Sequence, residues 1–332
     1  MIVDVYKIFR NDEKIRVNIC KEFKSLIRKK IDERYDSITF YSKKITNSSH
    51  VLYNYFRNDR LNASLYLLSK ICKDLNINEE QLFSNIRYFS LQGGHIPIIL
   101  PRIIDINENF MEGFAMFIGD GCVSKKSNIV FINSDKNLIK FFIKWLINHF
   151  KVDSSKIIVT IVTRPELDYT EYLNILKNAN ILENKINIIY DKNNIKKPCL
   201  KIYYPMVVFR KLFLNLKSIM KQKALRSDKL MRSYLRGIFS AEGSVRFNLP
   251  HKEVYIEMKD KNEIEFICKL LDEIGINYRK YNTSRKSRNF FKIYIAKIND
   301  LTKLSSMRIF GHNLKRQKIL DNGVKEYLRM HE

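Results

Sequence analysis

Apolar residues along the chain follow two periods. In MEGFAMFIGDGCV (111–123) and YLRGIFSAEGSVRF (234–247) they come three and four apart on nearly every side, which predicts two buried helices. After the second of these, Val254, Ile256 and Met258 alternate with Glu253, Tyr255, Glu257 and Lys259, the pattern of a half-buried antiparallel strand. DKNEIEFICKLL opens a helix over 260–274 that stops at Gly275, and NYRKYNTSRKSRNFFKIYI reads as a hairpin with a basic tip. The earlier stretch offers IVFIN, a helix over 135–150, IIVTIVT and CLKIYY, with a polar insert at 164–196 read as helix plus loop. Before residue 100 the pattern is of short helices. Two of them, 37–44 and 48–57, flank a tight turn near Thr46-Asn47, with Ser48 or Ser49 placed to cap the second. The amphipathic SLYLLSKICKDL packs behind them through Leu65, Leu68, Ile71, Cys72 and Leu75.

Each long buried helix ends in an acid followed by glycine: Asp120-Gly121 and Glu242-Gly243. A carboxylate there faces the negative end of the helix dipole, an arrangement unfavourable by roughly 0.3–1 kcal/mol. The surroundings repeat as well. DKNLIKFFIKWL from Asp135 matches DKNEIEFICKLL from Asp260, KIYY (201–204) echoes KIYI (292–295), and MKQKAL echoes LKRQKIL. Four marks in one order make the chain from about residue 105 two copies of one unit. Ala115 and Gly119, and Gly237 and Ala241, lie four apart, so each helix has a face of small residues that lets two backbones approach. Parallel packing of the two would bring Asp120 and Glu242 together, and a divalent cation would relieve their repulsion.

GFAMFIGDG and LRGIFSAEG resemble the two signature motifs of monomeric LAGLIDADG homing endonucleases. The likeness spans about 105–325, with Ala115 where the first motif usually has glycine. It implies an α+β fold of two pseudo-twofold-related αββαββα units with antiparallel saddle sheets. It also implies Mg²⁺-dependent hydrolysis of both strands of a long asymmetric double-stranded DNA site, with Mn²⁺ as the alternative ion. Carried over residue by residue, the metal ligands are Asp120 and Glu242, with Gly119 and Ala241 beside them, and the two acids are catalytic. The lysine after each second strand pair falls on Lys223 and Lys318, with Lys221 and Lys315 as competitors. The water-positioning residue at the end of each second strand falls on Ser134 and Lys259.

Charge extends this picture. Lys and Arg number 60 against 35 Asp and Glu, a net +25 that makes a polyanion the first partner to consider. Outward strand residues would read bases and hold phosphates. These are Lys125, Lys126, Arg164 and Lys201 in the first unit; Arg246, Lys252, Tyr255 and Glu257 in the second; and Arg279, Lys280, Arg285, Lys286, Arg288 and Lys292 in its basic hairpin. Residues 24–83 are similar to the repressor-type helix-turn-helix family, which implies a small all-α domain whose helix 48–57 presents His50, Tyr53, Asn54 and Arg57 to a major groove. The expected organisation is 1–95 helix-turn-helix-like, 96–108 linker, 109–226 first unit and 227–332 second unit. Five cysteines without a C-x-x-C pair argue for a reducing interior and against a zinc knuckle. No run is apolar enough for a membrane span. The expected protein is a monomer of the cell interior, cytoplasmic or nucleoid-associated. Two rival readings remain: a non-cleaving DNA-binding transcription regulator on the same fold, and an RNA maturase acting on its own intron.

Overall fold

The computed structural model describes residues 1–59, 61–91, 97–123, 129–191, 195–248, 251–285 and 288–331. They form two compact units. One comprises Met1, Asp105–Pro205 and Leu216–Glu332; the other comprises Ile2–Ile104 and Met206–Asn215.

The N-terminal unit carries β1 (Ile2–Asp4), α1 (Val5–Phe9), β2 (Ile15–Ile19), α2 (Lys21–Arg34), α3 (Ile38–Thr46), α4 (His50–Arg57), β3 (Ala63–Ser64), α5 (Leu65–Asp74), α6 (Glu79–Ser84) and β4 (Ile86–Leu91), and β5 (Ile103–Asp105) pairs with β1. The expectation of an all-α domain is corrected here: β3, β2 and β4 form an antiparallel sheet. Ile15, Val17 and Ile19 are buried while Arg16 and Asn18 are half-buried, a period of two that is short enough to be lost among helices. The segment 97–104, expected as a linker, packs in this unit: Ile98 bridges Phe89, and Leu100 and Ile104 are buried. The turn between α3 and α4 places Asn47 in the left-handed region at φ 61°. Ser49 stands at the start of α4 without a side-chain cap bond. The buried Ser42 hydroxyl, from α3, instead accepts from the Leu52 N–H at 3.1 Å and donates to the Ser48 carbonyl.

The larger unit is α+β and holds two repeats in sequence. The first runs α7 (Glu108–Asp120), β6 (Gly121–Val123), β7 (Ile129–Asn133), α8 (Lys136–Phe150), β8 (Ile158–Thr163), α9 (Thr170–Asn178), β9 (Ile186–Tyr190), β10 (Cys199–Tyr204) and α10 (Val207–Ala224), the last helix counted with this unit from Leu216 on. The second runs α11 (Asp228–Glu242), β11 (Gly243–Asn248), β12 (His251–Met258), α12 (Lys261–Glu273), β13 (Arg279–Arg285), β14 (Arg288–Ile295), α13 (Ile298–Ser306) and α14 (Leu314–Arg329). The strand orders β6-β7-β10-β8 and β11-β12-β14-β13 correspond one to one. The repeated Asp-Lys-Asn starts a helix in each half. Asp135 accepts from the N–H groups of Asn137 and Leu138, and Asp260 accepts from that of Glu263. The first sheet departs from the expected antiparallel pattern at its edge. There β9, from the insert read as helix plus loop, runs parallel to β8.

Helices α7 and α11 meet in parallel through their small residues. A Cβ on Gly237 would lie 2.1 Å from the Glu112 carbonyl oxygen and 2.8 Å from the Ala115 Cβ, and one on Gly119 would lie 2.6 Å from the Ala241 Cβ. At such a separation only hydrogen fits, so glycine is required at both places. Arg236 of α11 reaches across to Glu112 of α7 at 3.2 Å.

Candidate functional site at the paired helix ends

The close approach of α7 and α11 sets the site. Both helices end together, and a Cβ on Gly119 would stand only 3.1 Å from the Glu242 Cγ. Asp120 and Glu242 are half-buried where the last carbonyls of each helix are left over. Burial, and then the charge of Glu242, pushes the Asp120 carboxyl up to about 7. Burial also raises Glu242, while Arg316 pulls it back. Two carboxylates in one half-buried place resist ionising together, and added positive charge removes that resistance.

Two polar residues that sequence reasoning missed complete the centre. The Asn133 amide donates to Asp120 Oδ2 at 2.5 Å. The expected residue was Ser134, one position on, which instead lends its backbone carbonyl to the Tyr172 hydroxyl at 2.7 Å. A strand alternates faces, so an offset of one residue exchanges the inward side chain for an outward one. In the second half the registers Gly121↔Phe131 and Gly243↔Ile256 place Met258 where Asn133 stands in the first. Lys259, the residue expected there, is exposed past the end of β12, with Nζ 5.5 Å from the Phe290 ring centre.

Arg316 occupies the other side. Its Nη1 donates to the Ser240 carbonyl at 3.0 Å and to the Ala241 carbonyl at 3.1 Å. Its charge acts on Asp120 and Glu242, and Asp135 and Tyr255 face it as well. The expected lysines are placed differently. Lys318 lies two residues beyond Arg316, about 200° around the helix, and is exposed, as is Lys315. Lys221, which the repeat aligns with Arg316, pairs at 2.8 Å with the fully buried Glu263; that carboxylate also accepts the Tyr234 hydroxyl at 2.5 Å. Lys223 is half-buried on α10.

These residues fit a hard, hydrated cation better than a closed cage. Among the described residues no group of three or more His, Cys, Asp or Glu side chains gathers. Mg²⁺ needs few protein ligands because it keeps most of its waters. Two carboxylates and helix-end carbonyls supply only oxygen donors, and the raised Asp120 marks a place short of positive charge.

The outer sheet faces follow from register, since residues directly opposite share a face. In the second sheet Arg246↔Glu253, Tyr255↔Tyr294, Glu257↔Lys292 and Tyr281↔Lys292 make one face, with Arg279 opposite Tyr294. Lys292 Nζ lies 3.9 Å and the Arg246 guanidinium 5.4 Å from the Tyr255 ring centre. Two expected contacts lie on the opposite side. Lys252 is registered with Phe247 and sits 3.7 Å from the Tyr327 ring of α14, and Lys280 is registered with the buried Ile293. In the first sheet Lys201 shares its face with Ile132, Val130 and Val162. Arg164, just past β8, pairs with Glu166 at 3.0 Å. Lys125, Lys126 and Lys286 lie outside the described residues, as do the side chains of Arg285 and Arg288.

In α4, His50, Asn54 and Arg57 are exposed, while Leu52, Tyr55 and Phe56 are buried. Tyr53 is half-buried, and its hydroxyl accepts from Arg57 Nη1 at 2.7 Å. No helix among the described residues is long and apolar enough to cross a membrane.

Residues 229–313 match the family described as LAGLIDADG-like domain. No curated protein sequence matches the chain. Among solved structures, the N-terminal LAGLIDADG domain of DUF199/WhiA aligns at 18% identity over 63% of this chain and 83% of that one, with a TM-score of 0.36. Full-length DUF199/WhiA from Thermatoga maritima aligns at 17% identity over 66% and 61%, with a TM-score of 0.36. I-DmoI in complex with DNA and Mn aligns at 15% identity over 60% and 97%, with a TM-score of 0.32.

Proposed function

We propose that the chain is a site-specific homing endonuclease that cuts both strands of double-stranded DNA with Mg²⁺, or with Mn²⁺ in its place. One observation carries this reading: two half-buried carboxylates converge at the ends of parallel helices, where folding gains nothing from them and burial resists their ionisation. Asp120 and Glu242 would hold the cation, with the carbonyls of Gly119 and Ala241 beside them. A divalent ion held there supplies Lewis-acid stabilisation of the charge that develops on a phosphodiester. Asn133 keeps one Asp120 oxygen oriented. Arg246, Tyr255, Lys292 and Arg279, on one sheet face, would hold backbone and read base edges. In the N-terminal unit α4 would enter a major groove through His50, Asn54 and Arg57. One chain supplies both acids, so a monomer suffices.

A second reading, a DNA-binding protein that does not cut, draws on the asymmetry of the site. Arg316 holds the Ala241 carbonyl, and Met258 stands where an amide would match Asn133. A cleavage selection separates the two. The protein is incubated with a large random DNA library in Mg²⁺ or EDTA and the new ends are sequenced, with Asp120→Asn and Glu242→Gln alongside. Metal-dependent ends sharing one long site, lost in both variants while binding survives, are the expected result. DNA that is bound but uncut in Mg²⁺ would favour the second reading.

A further inference from the structure

The cation-facing side of the acid pair already holds a cation. The last carbonyls of a helix carry partial negative charge and lack intrahelical partners. At the end of α11 two of these, on Ser240 and Ala241, are taken by a single guanidinium nitrogen of Arg316. The side chain enters from the first turn of α14, where Asn313 caps the helix and also donates to the Ser240 carbonyl at 3.4 Å. Its position is therefore set by a fixed helix start. The titratable groups that act on it most strongly are acids and a phenol: Asp120, Asp135, Glu242 and Tyr255. The Asp120 carboxylate accepts a hydrogen bond from the neutral amide of Asn133, and Arg316 acts on it through its charge as well.

We propose that Arg316 is a resident counter-ion of the acid pair, seated on the Ala241 carbonyl, and that a divalent cation takes the Glu242 side only by displacing it. This rests on the proposed cation-binding role of Asp120 and Glu242. One carbonyl oxygen cannot serve a guanidinium and a divalent ion together at full strength, and the two positive charges repel. Without metal, Arg316 offsets part of the repulsion between the acids. With metal, the freed guanidinium is a donor suited to phosphate, bidentate in geometry and always charged. The two halves then differ in what cation entry requires: on the Glu242 side the guanidinium must also leave the Ala241 carbonyl.

The test is Mn²⁺ binding to the full chain, read by electron paramagnetic resonance of the free ion, with melting temperatures beside it. Arg316→Gln should bind Mn²⁺ about tenfold more tightly than the parent, melt lower without metal, and recover on saturation. Arg316→Lys keeps a charge but cannot fork, so its affinity should rise by a smaller factor, and it serves if the glutamine variant does not fold. Asp120→Asn should bind more weakly than the parent. Equal or weaker Mn²⁺ binding by the Arg316 variants, with the Asp120→Asn loss intact, would overturn the displacement and leave the endonuclease reading standing. Absence of Mn²⁺ binding in every protein at millimolar concentration would overturn both.

Discussion

Asp120 is the residue on which folding and the proposed chemistry pull in opposite directions. Its folded-state value of about 7 stands above the ordinary 3.8, so the folded chain holds that proton more tightly than the unfolded one. The stability it contributes is whole below about pH 4 and is lost as pH rises through about 7. The expected outcome for Asp120→Asn is a gain on the order of 4 kcal/mol in metal-free protein at pH 8, shrinking to nothing near pH 4. Chemical denaturation at several pH values measures it, and an equal effect at all pH values would mean that Asp120 ionises normally. Asn133 and Arg316 show where residue-level reading of the sequence stops. Asn133 was missed by one position along a strand, an error that changes face. Arg316 comes from a helix more than seventy residues past the acid it serves, so only packing places it there.

At the scale of elements, periodicity found what is long and regular. The buried helices, the alternating strand at 251–258 and the helix starts at Asp135 and Asp260 stand close to where the pattern put them. The glycine stop at Gly275 holds too, with φ at +67°. Short or exposed pieces were not legible. β2 has five residues among helices, and β9 pairs with a strand more than twenty residues before it while exposing Ile189 and Tyr190. The face of Lys280 also needed register, because RKYNTSR has no hydrophobic rhythm to fix its side, whereas Lys252 falls in step with Val254, Ile256 and Met258 and so already belonged to the buried face. The helix pair yields a direct prediction. Gly237→Ala would force a methyl against the Glu112 backbone, and overpacking of this kind costs about 1–3 kcal/mol. A melting temperature unchanged from the parent would show that α7 and α11 can part without loss.

For the whole molecule, the excess of 60 basic over 35 acidic residues makes salt the informative variable. If Arg246, Arg279 and Lys292 contact phosphates, each change to glutamine should lower the slope of log affinity against log salt by about 0.9. Arg57→Gln in α4 should do the same for the N-terminal unit. Fluorescence anisotropy on a fixed duplex over a salt series measures all four, and a variant with the parent's slope removes that side chain from the contact surface. Point changes are the appropriate tool, because a truncation near residue 95 would strip Met206–Asn215 of the unit it belongs to.

That last stretch has a consequence for how the protein is made. The N-terminal unit comprises Ile2–Ile104 and Met206–Asn215, and Val208, Phe209, Leu212 and Phe213 from its second part are buried. A chain leaving the ribosome in order cannot finish this unit when residue 104 emerges. It must wait for about a hundred further residues, through the whole first repeat, before the closing piece of α10 arrives. A unit whose larger part is made before the first repeat is thus completed only after that repeat.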